Sequence, residues 1–239
     1  MEHSNKYIFI YSVVMVVVVA VALTIVAVQL KPAQEDNIRI EKMQNILASV
    51  NINTASIPKK QVIDVYNKYV KRAFAVNNKG EVIESNSSKV FPIEMANELK
   101  KPADQQILPV FVATLDSGDS AFIVPLRGKG LWGSIWGYIS FKPDFNTVVG
   151  CVYDHKGETP GLGAEINTPG FQKHFFGKTI FNDQKEFVSV NVMKGGAAPD
   201  DPHGVDAISG GTITSKGVEK MLRDNLGGYV AYFKKQMKP

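Results

Sequence analysis

The chain has 239 residues, 44% of them hydrophobic and 21% charged, which is enough apolar material for one sizeable core and argues against disorder throughout. The net charge of +4 is modest and the lysines are interspersed with acids, so nucleic acid is a poor candidate partner. The single cysteine, Cys151, excludes an internal disulfide framework and any Cys-based zinc or iron–sulfur site built by this chain alone. It reads as a small buried hydrophobe in a strand.

From Tyr7 to Leu30 there is no Asp, Glu, Lys, Arg or His. As a helix rising about 1.5 Å per residue, this segment is long enough to span a hydrocarbon core of about 30 Å. Lys6 and Lys31 bracket it. The run is longer than the roughly 7–15 residues of a signal-peptide core, and no clear small-x-small cleavage site precedes Lys31, so an uncleaved single-pass anchor is expected. Lys6 on one side is set against Lys31 and Arg39 on the other, and this distribution favours neither face of the membrane for the rest of the chain.

After Lys31-Pro32 the sequence turns polar, and Ile40, Met43, Ile46, Leu47 and Val50 recur at the spacing of an amphipathic helix leaving the membrane. Val62, Val65, Tyr66 and Tyr69 mark a second helix. Asn77 to Gly80 and Ser85 to Ser88 read as turn and loop. From Ile107 onward short apolar or alternating runs predominate: 107–114, 121–126, 132–141, 147–153 and 187–192, separated by Gly, Pro, Asp and Asn in a strand-and-turn pattern. A short helix is expected over 171–176, after Pro169-Gly170. Val218, Met221 and Leu222 mark a last helix, expected to stop at Gly227-Gly228. The fold class is α+β, a single N-terminal transmembrane helix followed by a mixed, mostly antiparallel domain.

Three glycine clusters are candidates for chemistry. Gly128 to Gly133 reads as a hairpin turn followed by a strand. Gly157 to Gly163 surrounds Glu158, Thr159 and Leu162 with four residues of special backbone character, and such a loop lets the main chain approach a flat ligand closely. The third, His203 to Ser215, carries Ser209, Thr212, Thr214 and Ser215 beside Gly210-Gly211 at the start of the last helix. Free backbone N–H groups and the helix dipole favour an anion there, with Lys216 able to add charge. An ordinary N-cap by Thr214 or Ser215 is compatible with such a site. The phosphate-binding pattern G-x-x-x-x-G-K-[ST] is absent.

Self-contained catalysis finds little support. His3, His155, His174 and His203 lack metal-ligand spacing, and Asp200, Asp201, His203 and Asp206 read as a solvated acidic loop. No G-x-S-x-G or triad is readable. Neither a catalytic residue nor a metal site is assigned.

Over nearly its whole length the chain resembles the FMN-binding domain family that includes the C subunit (NqrC type) of sodium-translocating NADH:quinone reductases and the G subunit of Rnf complexes. The resemblance rests on the N-terminal span, Gly130-Leu131-Trp132, Gly157 to Gly163, Lys194-Gly195-Gly196-Ala197 and His203 to Gly217. Its specific motif is Asp-x-x-Ser/Thr-Gly-Ala-Thr, matched by Asp206, Ser209, Gly210 and Thr212. Gly211 stands where the family most often has alanine, which loosens the backbone before Thr212 and leaves its hydroxyl in place. The sodium-pump type is the nearer likeness, from Lys194 to Ala197 and His203 to Asp206.

The resemblance implies FMN joined by a phosphoester to Thr212, attached by a separate flavin transferase that reads Asp206, Ser209 and Gly210, with Thr214 and Ser215 capping the following helix. It further implies a phosphate resting near Ser209, Thr212 and Thr214, and a flavin ring against Glu158, Thr159 and Leu162 with Lys194 close by. Residues 1–31 would be the anchor, 32–105 a helical tether and variable region packing on the domain, and 106–239 the FMN-binding domain. The role implied is electron transfer between membrane redox subunits of a sodium-translocating NADH:quinone reductase, in the inner membrane with the flavin domain in the periplasm, and without activity alone. An Rnf-type flavin subunit and a cofactor-free tethered binding or assembly protein are the other readings.

Overall fold

The computed structural model describes residues 4–54 and 56–237, and His3 lies outside them. The chain divides into two compact units, one ending at Lys42 and the other beginning at Met43. The first contains most of helix α1, Asn5–Ala48, whose apolar stretch has a mean hydropathy of 2.9 and is long and apolar enough to cross a membrane. The residues from Tyr7 to Leu30 are exposed, as they are in a helix whose solvent is lipid. Helix α1 continues through Pro32 instead of breaking there. Proline removes one backbone bond from the ladder. The residues that follow, Ala33, Gln34 and Glu35, favour helix, and Lys31 and Glu35 are placed one turn apart at 4.0 Å.

The second unit takes in the end of α1, where Met43, Ile46 and Leu47 are buried, followed by Val50. Next come α2 (Lys59–Tyr69), β1 (Val70–Val76), β2 (Val82–Glu84) and the single turns α3 (Ser87–Val90) and α4 (Met95–Glu98). Strands β3 (Leu108–Thr114), β4 (Ser120–Lys129), β5 (Ser134–Phe141) and β6 (Val148–His155) form an antiparallel meander. A 3-10 turn at Gly163–Asn167 and helix α5, Pro169–Gln172, lead to a parallel pair, β7 (Asn191–Met193) and β8 (Gly204–Asp206), and then to α6, Thr212–Gln236.

The main sheet has the order β2-β1-β3-β4-β5-β6. It starts earlier than the sequence pattern indicates, because β1 is not a polar loop approach but pairs antiparallel with β3 through Arg72 to Val76. Its apolar residues Ala73 to Val76 are consecutive and all buried, so they show no alternation, and Lys71 and Arg72 interrupt the run before them.

Helix α6 covers one face of the sheet. Val218, Leu222, Leu226, Tyr229 and Phe233 recur every three or four residues and pack into one cluster with Val110, Val124, Leu126, Ile139 and Phe141. Each such side chain contributes about 1.5–3 kcal/mol when fully buried. This packing explains why α6 runs through Gly227-Gly228 rather than ending there. Four buried residues lie beyond the glycines or next to them, and a side-chain carbon on Gly228 would meet Leu108 at 2.9 Å.

Midway along its length α6 is fixed to β4 by the Asn225 amide, which accepts from the Arg127 N–H at 2.9 Å and donates to the Arg127 carbonyl at 2.9 Å. Cys151 lies in β6 and is buried, and burial pushes its thiol up to about 12, which makes it inert packing material.

A chain starting at Lys31 is expected to remain in solution without detergent and to unfold cooperatively. One starting at Ile52 loses the fully buried Ile46 and Leu47 and should be less stable by at least about 2–5 kcal/mol, the cost of one large aliphatic core truncation. Size-exclusion chromatography and thermal unfolding check both, and aggregation of the longer chain would count against a single anchor.

Candidate functional site

Three segments converge beside the start of α6: the β4–β5 turn at Gly130 to Gly133, the loop at Gly157 to Gly163 that follows β6, and the approach to α6 from Ile208. Together they line a cavity of about 230 Å³ whose walls include Leu131, Trp132, Glu158, Thr159, Leu162, Gly210, Gly211, Thr212 and Thr214. The turn is closed by the Gly130 N–H donating to the Gly133 carbonyl at 2.8 Å. The 157–163 loop is drawn tight by the N–H groups of Leu162 and Ala164, both donating to the Thr159 carbonyl at 3.1 Å. Gly161 has φ +75, a conformation that favours glycine, and its N–H donates to Glu165 Oε1 at 3.0 Å.

Glu158 joins the three segments. Its side chain turns inward and is only 4% exposed. One carboxylate oxygen accepts from the N–H groups of Trp132 at 2.9 Å and Gly133 at 3.3 Å, and the other accepts from the Thr214 hydroxyl. Its own N–H donates to His155 Nδ1 at 3.1 Å. A side-chain carbon on Gly130 would lie 2.6 Å from one carboxylate oxygen, and one on Gly163 would lie 2.6 Å from the other. The glycines are therefore what makes room for the acid. Burial alone would raise the Glu158 pKa, but the Thr214 hydroxyl and the amides of Trp132, Gly133 and Leu131 outweigh it and hold the carboxyl below its ordinary value. The group expected to touch a ring lines the cavity and at the same time fastens its three walls together.

The four candidate hydroxyls separate clearly. Thr214 and Ser215 do not cap α6 from outside, because the helix begins at Thr212 and both lie within its first turn. They are buried, Thr214 donating to Glu158 and Ser215 accepting from the Ile208 N–H at 3.0 Å. Ser209 is exposed and does not line the cavity, whereas Thr212 is half-buried, lines it, and has no side-chain partner among the described residues. The N-cap is Gly211, which offers no side-chain bond, so the first amides of α6 have no side-chain cap. Gly211 has φ −101, an ordinary value, and a side-chain carbon there would meet Ile208 Cγ2 at 2.9 Å. Ile208 fills the space a methyl would need, so this glycine is a matter of room and not of loosened backbone.

Leu131, Leu162 and Ile213 are exposed around the mouth, and Trp132 is 71% exposed. The sequence pattern gives Trp132 no contact and does not single out Ile213. The signal for both is present nonetheless: a tryptophan between glycines in a hairpin turn and an isoleucine at a helix start have no core to enter. Lys194 does not line the cavity. It precedes Gly195 and Gly196, at φ +92 and +98, in a turn that Asp206 holds by accepting from the Ala197 N–H at 2.7 Å.

Residues 130–227 match the FMN-binding domain family. The chain is 34% identical over 226 residues to the C subunit of the Na(+)-translocating NADH-quinone reductase of Haemophilus ducreyi, covering 87% of this chain and 86% of that protein. Against the protein of the same name from Neisseria meningitidis the identity is 44% over 115 residues, 47% of this chain and 44% of that one. Among solved structures, it is similar to the C subunit of the Na(+)-translocating NADH-quinone reductase from Parabacteroides distasonis, with a TM-score of 0.76 and 43% identity over 85% of this chain and 96% of that one. It is also similar to Shewanella oneidensis NqrC, with a TM-score of 0.70 and 30% identity over 83% and 97% of the two chains.

The lowered Glu158 pKa fixes the sign of a pH effect. An acid held below its ordinary 4.5 stabilises the fold fully above that pH and loses the contribution as pH falls through the folded value. Glu158→Gln should cost about 1.5–3 kcal/mol at neutral pH, the worth of hydrogen bonds to a charged group. The difference from the unaltered protein should shrink below pH 4.5. Denaturant unfolding at several pH values checks this, and a pH-independent difference would mean that the buried carboxyl is already neutral.

Proposed function

The chain belongs to the family of Na+-translocating NADH-quinone reductase C subunits, and from that premise we propose that it is the membrane-anchored electron-transfer subunit of such a complex, carrying FMN esterified through its phosphate to Thr212. The carrying observation is the sorting of Ser209, Thr212, Thr214 and Ser215, of which Thr212 is the one that both lines the cavity and keeps an unbonded hydroxyl among the described residues. The other subunits of the reductase are its partners, and the relatives' names favour the sodium pump over an Rnf complex.

The residues present fit FMN. The first amides of α6 and its dipole suit a phosphate at Thr212. The apolar rim of Leu131, Trp132, Leu162 and Ile213 suits the flat, largely apolar ring. When bound, the flavin supplies the redox chemistry, and the chain supplies position and surroundings. Trp132 and Leu162 offer apolar surface at the mouth, while Glu158 keeps the turn, the loop and α6 in register. Thr159, exposed on the cavity wall, provides a hydroxyl to a ring edge.

Among the described residues none is hydrogen-bonded to the Thr212 hydroxyl as an activating base would be, and an aliphatic hydroxyl is weakly nucleophilic on its own. A separate flavin transferase therefore supplies the base and the activated flavin. Its access is supported by the exposure of Asp206, Ser209 and Gly210 just before the acceptor. Ser209 and Gly210 lie on the approach to the phosphate, and Lys194 serves the neighbouring turn. A flavin domain in the periplasm is supported by the covalent bond itself, since free flavin is scarce there and a dissociated cofactor would be lost.

Co-expressed with a flavin transferase, Thr212→Val should lose the FMN mass increment and in-gel fluorescence while remaining folded. In Ser209→Ala, whatever increment forms should still map to Thr212. A fluorescent Thr212→Val band, with FMN mapped to another residue by peptide mass, would overturn the assignment.

A further inference from the structure

Thr214 spends its hydroxyl on Glu158, two residues from the proposed acceptor and on the same helical turn. The bond is buried on both sides, with Glu158 4% and Thr214 2% exposed. No other side chain fastens the first turn of α6 from the direction of the cavity among the described residues, since Gly211 caps nothing and Ser215 reaches back to the Ile208 N–H. Behind the turn, Gly217 lies so close to β4 that a side-chain carbon would be 2.5 Å from the Lys129 carbonyl. The start of α6 is thus held from two sides, by strand β4 and by the carboxylate.

That carboxylate is itself tied to its surroundings on both sides. Its second oxygen holds the amides of Trp132 and Gly133, and the Glu158 N–H is held by His155 Nδ1. A first turn without this restraint frays, since the opening residues of a helix lack intrahelical partners for their N–H groups. Fraying would move the Thr212 hydroxyl through several orientations, and a misplacement of 1 Å in a reacting group can cost about a hundredfold in rate.

We infer that Glu158, acting through the Thr214 hydroxyl, is a positioning residue for flavin attachment, fixing the first turn of α6 so that the Thr212 oxygen faces the cavity in one orientation. The inference rests on the proposed ester at Thr212. In the attachment step the Thr212 Oγ–P bond forms, a phosphoanhydride bond of the flavin donor breaks, the nucleotide leaves, and the hydroxyl proton passes to a base on the transferase. There is no net oxidation or reduction. Neither Glu158 nor Thr214 touches the reacting atoms.

The test uses the full chain in detergent, prepared without flavin and then incubated with a purified flavin transferase and FAD, a flavin phosphate that carries a nucleotide leaving group. Attachment is followed by intact mass, and order in the first turn by amide hydrogen exchange over residues 212–215. Glu158→Gln and Thr214→Val should each lower kcat for attachment by about tenfold to a hundredfold, with the KM for the chain unchanged and exchange over the turn faster. Thr214→Ser keeps the hydroxyl and should keep both the rate and the protection. The double variant should be no slower than the slower single one, because both remove the same bond.

Attachment at the unaltered rate in Thr214→Val, equal slowing by Thr214→Ser, or multiplying effects in the double variant would overturn the inference. If Glu158→Gln does not fold, the two Thr214 variants decide. Thr212→Val separates the levels: flavin retained there sinks the proposed ester, whereas its loss together with normal attachment in Thr214→Val sinks the positioning role alone.

Discussion

Where Gly217 faces the Lys129 carbonyl, a side-chain carbon would sit 2.5 Å from the oxygen, so α6 approaches β4 more closely than any other residue there would allow. Four residues along the helix, a carbon on Gly128 would in turn meet Met221 at 2.7 Å. Asn225 converts this proximity into a fixed register, because its amide satisfies both the N–H and the carbonyl of Arg127, whose residue pairs across to Trp136 in β5. The aromatic and aliphatic face from Val218 to Phe233 supplies the energy of docking, while the glycines and the asparagine decide where the helix stops sliding. Its first residue, Thr212, consequently arrives beside the β4–β5 turn.

The same approach explains how a carboxylate can be buried beside this turn. An ion taken out of water costs several kcal/mol unless hydrogen bonds replace its hydration. Glu158 finds those bonds in the amides of a hairpin turn and in a hydroxyl on α6, groups that would otherwise need partners of their own. The turn amides point inward because the turn is short and rich in glycine. The arrangement is cooperative: the acid is tolerable only if the turn and helix are in place, and both are held by the acid.

The long apolar segment, the meander from β3 to β6 and the glycine-rich loop were legible in the sequence because each has a local signature: absence of charge, alternation, and residues of special backbone character. Strand β1 was not, since its buried residues Ala73 to Val76 show no alternation and its partner β3 lies more than thirty residues away. The continuation of α6 past Gly227-Gly228 was hidden for a related reason, as the propensity of two glycines, a cost of about 1 kcal/mol each, is local while the burial of Tyr229 and Phe233 is not. At the site, residue types pointed to Glu158, Thr159, Leu162 and the hydroxyl cluster, but not to direction. Whether an acid in a glycine loop faces a ligand or its own scaffold depends on the segment folded beneath it, and the Trp132 and Gly133 amides that capture Glu158 come from a turn some twenty-five residues earlier.

Cavity size bears on why a covalent bond would be worth making. Pockets that hold small molecules by enclosure are usually about 300–1,000 Å³ and cover most of the ligand. This one is about 230 Å³, with Trp132 standing 71% exposed at its edge. Such a site cannot surround a flavin, so non-covalent contacts alone would hold it weakly. Deepening the cavity would improve retention but would bury the ring that must exchange electrons with another subunit. The proposed ester at Thr212 would remove that conflict: retention would be assigned to one bond at the helix start, and the ring would keep an open side beside Leu131, Trp132 and Ile213.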